Sequence, residues 1–253
     1  MRNTILYIAL SLLMILGMAS CADDNYPEPK ETFRGKFVEK GTNKPFQTAI
    51  GNTGVRIRMM EYSWSDTPQP YDFNCKMDGT FNNTKVFKGE YGVIPSGAFV
   101  PLTEEKMTIS GTVEKTYEVE PILKIEWDGE PVVNADRTVT VKVKVAYGSD
   151  NTTYQKPLVE GWLFISETDY VGDFSYSPNY SVKCDPAKMG VGASEILGPN
   201  GTTFTINTSS ASKSFPDYAR KYFIRFGVRT SVTFDATNRY NYTEVKEVSI
   251  PAS

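Results

Sequence analysis

The stretch that decides the fold is Thr138-Val139-Thr140-Val141-Lys142-Val143-Lys144-Val145-Ala146-Tyr147. Successive side chains of a β-strand point to opposite faces. Val139, Val141, Val143, Val145 and Tyr147 therefore share one face, and Thr138, Thr140, Lys142 and Lys144 the other. One apolar and one solvated face describe a half-buried antiparallel strand. The device returns in residues 221–229, where Tyr222, Ile224, Phe226 and Val228 alternate with Lys221, Arg225 and Arg229. It returns again where Val55, Ile57 and Met59 alternate with Arg56, Arg58 and Met60. Residues 33–39, 81–87, 107–119, 123–127, 158–166 and 242–250 read as further strands. Asp78-Gly79, Asp128-Gly129 and Asn200-Gly201 supply turns between them. No window carries the period of a long amphipathic helix. Short strands at this spacing predict an all-β chain built from sandwiches.

The chain has 253 residues, and its apolar pattern restarts after Glu120-Pro121 with Ile122-Leu123-Lys124-Ile125-Glu126-Trp127. We therefore expect two domains in series, residues 31–119 and 120–253. Trp127 and Trp162 fall inside strand patterns and are expected in the cores. Cys75 and Cys184 lie 109 residues apart, and the sequence leaves open whether they pair.

Composition excludes several chemistries. With no His, nucleophiles activated by imidazole and zinc sites ligated by imidazole are impossible. A net charge of −3, from 27 basic and 30 acidic residues, argues against nucleic acid as a partner. The sequence has no nucleophile elbow, phosphate loop or calcium loop. Gly190-Val191-Gly192-Ala193 lacks the strand–helix context of a dinucleotide site. Glu104/Glu105, Asp128/Glu130 and Asp169/Asp173 are carboxylate pairs, but each adjoins turn signals or polar runs, where solvated loops account for them. We expect no catalytic residue, metal or cofactor, and read the chain as a protein that is not an enzyme.

Residues 1–20 form a leader. Arg2 starts it, Ile5 to Leu16 is nearly all apolar, and Gly17-Met18-Ala19-Ser20 precedes Cys21. This order resembles a bacterial lipoprotein signal, which implies cleavage before Cys21 and lipidation of that residue. An ordinary secretory leader beside an incidental cysteine is the other reading. Residues 21–30 read as a tether extended by Pro27 and Pro29. Asp23 and Asp24 resemble the acidic export signal of Bacteroidetes surface lipoproteins. That resemblance implies an outer-membrane protein anchored by lipid alone and facing the cell exterior. Alternatively, the two acids merely begin a solvated spacer.

Gly35, Val38, Thr42, Pro45, Asp78, Gly79, Phe81, Gly89 and Tyr91 occupy the places of a "G-x-V … T-x-x-P", "D-G-x-F" and "G-x-Y" pattern. Residues 31–119 therefore resemble the carboxypeptidase-regulatory-like, transthyretin-type (prealbumin-like) sandwich. The departure is residues 61–75, read as an inserted loop. Tyr222-Phe223-Ile224-Arg225-Phe226 resembles the "Y-x-x-R" strand of immunoglobulin-like and fibronectin-III-like sandwiches. Leader, acidic signal and two sandwiches together resemble the surface lipoproteins that accompany SusC/SusD-type glycan-uptake systems in Bacteroidetes. The resemblance implies a part in polysaccharide capture and brings no catalytic residues.

The candidate binding residues are aromatic, because sugars present C–H faces to rings while polar neighbours take the hydroxyls. Tyr62-Ser63-Trp64-Ser65-Asp66-Thr67-Pro68-Gln69-Pro70-Tyr71 carries one such mixture, with Tyr62, Trp64 and Tyr71 as candidates. Tyr170-Val171-Gly172-Asp173-Phe174-Ser175-Tyr176-Ser177-Pro178-Asn179-Tyr180 carries another, with Tyr170, Tyr176 and Tyr180. Either group could instead fold back onto its sandwich, and Tyr240 and Tyr242 could do either. The chain reads as a non-catalytic surface lipoprotein that binds polysaccharide or docks on a SusC/SusD-type transporter. A structural or adhesive module that pairs through an exposed strand edge is the alternative.

Overall fold

The computed structural model describes residues 28–185 and 197–253. The leader 1–20, Cys21, the tether up to Pro27 and the Gly190-Val191-Gly192-Ala193 run lie outside the described residues. Among the described residues no helix is long and apolar enough to cross a membrane.

The chain is all-β. Its first half contains β1 (Glu31–Glu39), β2 (Arg56–Glu61), β3 (Pro70–Asn74), β4 (Thr80–Val86), β5 (Gly89–Ser96), β6 (Glu105–Ile109) and β7 (Thr112–Val119). One sheet has the order β4-β1-β7, with β1 antiparallel to β4 and parallel to β7. The other is the antiparallel β3-β2-β5-β6. Their inner faces close on Phe33, Phe37, Phe81, Ile57, Met59 and Val93. The Phe37 ring stacks on Tyr117 at 4.9 Å and on Phe99 at 5.8 Å. Burying one such ring contributes about 2–3 kcal/mol.

Two expectations are corrected here. Residues 107–119 do not form one strand. Gly111 adopts φ 73°, a left-handed conformation that glycine takes without strain, and the turn sends β6 and β7 into different sheets. Residues 61–75 are not wholly an inserted loop. They contain β3, paired to β2 with Tyr71 opposite Met59. Phe73 packs edge-on to Phe33 at 6.4 Å and so anchors that strand to the core. Pro70 is tolerated because it opens an edge strand, where a missing N–H breaks no ladder.

The second half contains β8 (Leu123–Trp127), β9 (Val132–Val133), β10 (Val139–Tyr147), β11 (Leu158–Ser166), β12 (Val182–Cys184), β13 (Thr202–Asn207), β14 (Arg220–Thr230), β15 (Thr233–Phe234), β16 (Thr237–Asn238), β17 (Asn241–Tyr242) and β18 (Lys246–Ile250). One sheet runs β13-β10-β8, with β9 also on β10. The other runs β12-β11-β14-β17, with β18 also on β14. Val139, Val141, Val143 and Val145 are buried against Leu163, Ile165, Ile224, Phe226 and Val228, as the alternation requires. Residues 242–250 break into β17 and β18. Between them the Thr243 hydroxyl and backbone turn back to bond Phe226.

The two tryptophans also differ from expectation. Trp127 is only half-buried at the margin of the second core, with its Nε1 donating to the Glu244 carbonyl oxygen at 2.9 Å. Trp162 lies on the opposite face of its sheet from Leu163 and Ile165, outside that core. The register of β11 on β14 shifts between Leu158 and Glu160, so residues beyond the bulge change faces.

The two sandwiches meet through buried polar contacts. Asn241 Nδ2 donates to the Ala98 carbonyl oxygen at 2.8 Å, and its Oδ1 accepts from the Leu123 N–H at 3.1 Å. Phe99 bridges to Pro121. Ala49 of the first half packs with Phe164, Val171 and Tyr242 of the second. Lys40–Glu120 and Lys44–Glu126 add exposed ion pairs at 2.7 and 2.5 Å, which solvent largely screens.

Candidate functional site

Arg225 organises the seam. It lies on the face of β14 that points away from the second core, and it is fully buried. Its Nε donates to the Thr243 carbonyl oxygen at 3.0 Å, and its Nη1 to those of Thr48 at 3.0 Å and Val171 at 3.4 Å. Its Nη2 donates to Gln47 Oε1 at 3.3 Å and to the Met77 carbonyl oxygen at 3.4 Å. The guanidinium also lies 4.3 Å from the centre of the Tyr242 ring. Neutral oxygens and a ring face, rather than a carboxylate, thus satisfy its planar fork. Burial lowers its pKa to about 10, which leaves it charged at neutral pH.

Beside this clamp opens a cleft of about 670 Å³ between the sandwiches. One wall comes from the first half and includes Gln47, Ile50, Asn74, Lys76, Met77 and Asp78. Asp169, Tyr170 and Val245 form the other. Tyr170 is 48% exposed and braced edge-to-face by Phe174 at 5.0 Å. The brace is itself fixed, because Gly172 and Ser175 exchange two backbone hydrogen bonds of 3.0 Å. The volume and the mixture of apolar and hydrogen-bonding groups suit a small organic ligand or one end of a longer one. A second groove of about 570 Å³, past Trp127, is crossed by the Lys44–Glu126 and Lys246–Glu130 ion pairs.

The other candidates separate into exposed and packed residues. Trp64 is 70% exposed at the β2–β3 hairpin, and its Nε1 donates to Glu61 Oε1 at 2.9 Å. Its loop is pinned where Ser63 Oγ accepts from the Glu90 N–H at 2.8 Å. Tyr62 lies beneath the Lys106 ammonium at 4.8 Å, and a hydrogen bond to Glu104 raises its pKa. Tyr71 is 49% exposed on β3, and its hydroxyl accepts from Asn83 Nδ2 at 3.1 Å. Tyr180 is packed: it stacks on Phe215 at 5.1 Å and meets Tyr222 edge-on at 5.4 Å. Tyr176 packs on Trp162 at 5.6 Å and on Phe164 at 5.3 Å.

Trp162 and Tyr176 belong to an aromatic face whose polar rim the sequence reading did not identify. Gly227 lies opposite Trp162 on the neighbouring strand and opposite Tyr242 on the next. A Cβ there would stand 2.7 Å from the Tyr242 ring, so glycine makes room for the rings. At the rim, Glu160 accepts from Trp162 Nε1 at 3.2 Å, the Tyr240 hydroxyl at 2.7 Å, Arg229 Nη2 at 3.1 Å and Lys183 Nζ at 2.6 Å. Burial pushes this carboxyl up. The donors from Lys183, Tyr240, Trp162 and Arg229 outweigh that and hold its pKa at about 2.

The acidic pairs are largely engaged elsewhere. Asp173 accepts from the Tyr242 hydroxyl at 2.8 Å, Glu130 pairs with Lys246 and Glu105 with Lys115. Cys75 and Cys184 are not joined to each other and are buried in different cores.

Residues 31–120 match the family described as "Protein of unknown function (DUF3823) N-terminal domain". A DUF3823 family protein from Bacteroides uniformis shares 30% identity over 88% of this chain and 100% of its own, with a TM-score of 0.75. A second Bacteroides uniformis protein, suggested to bind carbohydrate, has a similar fold at 18% identity, with a TM-score of 0.68 over 88% of this chain and 100% of its own. A DUF3823 family protein from Parabacteroides merdae shares the fold at 15% identity, with a TM-score of 0.62 over the same shares of the two chains. No curated protein matches the chain.

Proposed function

The chain belongs to the DUF3823 family, and on that premise we propose that it is a non-catalytic surface lipoprotein that binds polysaccharide in the cleft between its sandwiches. The observation that carries this reading is the braced, half-exposed Tyr170 facing Gln47, Asn74, Lys76 and Asp78 across about 670 Å³. A ring can stack on the C–H face of a sugar while amide, ammonium and carboxylate groups opposite take its hydroxyls. The Arg225 clamp holds both walls before any ligand arrives, which lowers the ordering cost of binding. The carbohydrate-binding suggestion for a relative of the same fold supports the reading.

The surrounding biology is also part of the proposal. The apolar leader ending in Gly17-Met18-Ala19-Ser20 before Cys21 and the acidic Asp23-Asp24 pair support a protein lipidated at Cys21 on the outer face of the outer membrane. There it would hand glycan to a SusC/SusD-type transporter. Affinity electrophoresis through gels containing a panel of polysaccharides tests the binding. Retardation by at least one of them is expected, and unretarded migration in all would remove the glycan part.

The adhesive alternative has one observation in its favour. β3 is an edge strand with mostly exposed residues, open to pairing with another chain. Proline substitution at Asp72 would block such pairing and leave the cleft intact. Loss of a partner in pull-down without loss of glycan retardation would mark that second role.

A further inference from the structure

We propose that Arg239 and Arg56 hold an oxyanion, a carboxylate or sulfate group, where the β15–β16 hairpin meets the first sandwich. Arg239 is only 4% exposed, yet its Nε and Nη1 have no hydrogen-bond partner among the described residues. Arg56 Nε is buried and equally unpartnered, and lies 3.8 Å from Asp72 Oδ2. The neighbouring acids are already engaged. Asp235 Oδ2 accepts from Arg56 Nη2 at 2.5 Å, and the two oxygens of Asp72 accept from Arg58 at 2.9 and 2.8 Å. Asp72 and Asp235 thus pair with Arg56 and Arg58, and among the described residues Arg239, the most buried of the three guanidiniums, forms no ion pair.

Burial disfavours the Arg239 cation most; Asp235 stabilises it and Arg56 opposes it. Water could satisfy unpaired N–H groups but not the charge. A group that does both is an oxyanion, whose oxygens match the N–H fork of a guanidinium. Buried donors left without partners are costly, and the three on Arg239 and Arg56 would gain from such a ligand. The side chain of Arg56 is 24% exposed, so the pair opens to solvent on that side.

This site is separate from the cleft of Tyr170 and does not depend on the glycan reading. Calorimetric titration and thermal unfolding of the purified protein test it, with sodium sulfate, sodium glucuronate and neutral glucose as probes and sodium chloride to match ionic strength. We expect a saturable rise in Tm and measurable heat with sulfate or glucuronate and none with glucose. Affinity should weaken by about tenfold or more in Arg239→Gln and in Arg56→Gln. Response to glucuronate would identify the acid group of a sugar as the ligand, and response to sulfate alone would identify an inorganic oxyanion. If Arg239→Gln does not fold, the more exposed Arg56→Gln carries the comparison. Absence of saturable binding to either anion, or binding unchanged in the folded variants, would overturn the proposal.

Discussion

Arg225 Nη1 donates a 3.0 Å hydrogen bond to the Thr48 carbonyl oxygen, fastening the central strand of one sandwich to a loop of the other. The same guanidinium serves Gln47, Met77, Val171 and Thr243, so truncation orphans acceptors in both halves. Arg225→Met should destabilise the protein by about 3 kcal/mol, and Arg225→Lys should recover little because an ammonium lacks the planar fork. Denaturant unfolding followed by tryptophan fluorescence checks this. The native protein should unfold in one transition and the variant in two, as the halves uncouple.

Glu160 makes stability depend on pH in the acid range. Its folded pKa is about 2 against an ordinary 4.5, so the carboxylate is favoured by the fold. The stabilisation is complete above the ordinary value and is lost as pH falls through 4.5 towards 2. The full effect is on the order of 3 kcal/mol. Urea midpoints measured across that window should fall steeply in the native protein and flatten in Glu160→Gln.

The β15–β16 turn is strained. Asp235 and Ala236 adopt φ 51° and 58°, the conformation of a two-residue hairpin that favours glycine at its second place. Ala236→Gly should raise stability by about 1 kcal/mol, measured as a higher Tm, and should keep the contact of Asp235 with Arg56. A lower Tm would show that the turn relaxes in solution.

The thiols should be silent in the folded protein. Cys75 and Cys184 are buried in separate cores, and burial pushes the Cys75 thiol far above its usual pKa. Neither should react with a thiol reagent until denaturant is added. Cys21 would need to be absent or lipidated in that measurement.

Much of the fold is legible in the sequence because alternation reports burial directly. Val139 to Val145 give their strand, its faces and its core without any knowledge of neighbours. The errors have local causes. Counting by twos from buried Leu158 assigns Trp162 to the same face, and the bulge before Glu160 reverses that assignment. Gly111 divides a run that looks continuous. The cleft was not legible, since its walls come from residues 47–51, 74–78, 169–170 and 245. Periodicity says nothing about how two sandwiches dock. Arg225 stood out as part of a strand pattern, but its partners lie up to 178 residues away. Tyr170 was legible as an aromatic in a polar loop, and only the fold gives it an opposite wall.

The central claim is that the cleft under Tyr170 binds sugar. Its most direct test is calorimetric titration of the native protein, Tyr170→Ala and Trp64→Ala with an oligosaccharide derived from whichever polysaccharide retards the protein in gels. Tyr170 lines one side of the cleft, so Tyr170→Ala should weaken binding by about 10- to 100-fold at unchanged Tm, equivalent to about 1.4–2.8 kcal/mol. Trp64→Ala, altered at the β2–β3 hairpin outside that lining, should change it less. Full affinity in Tyr170→Ala would contradict the account, and loss confined to Trp64→Ala would move the site to the hairpin.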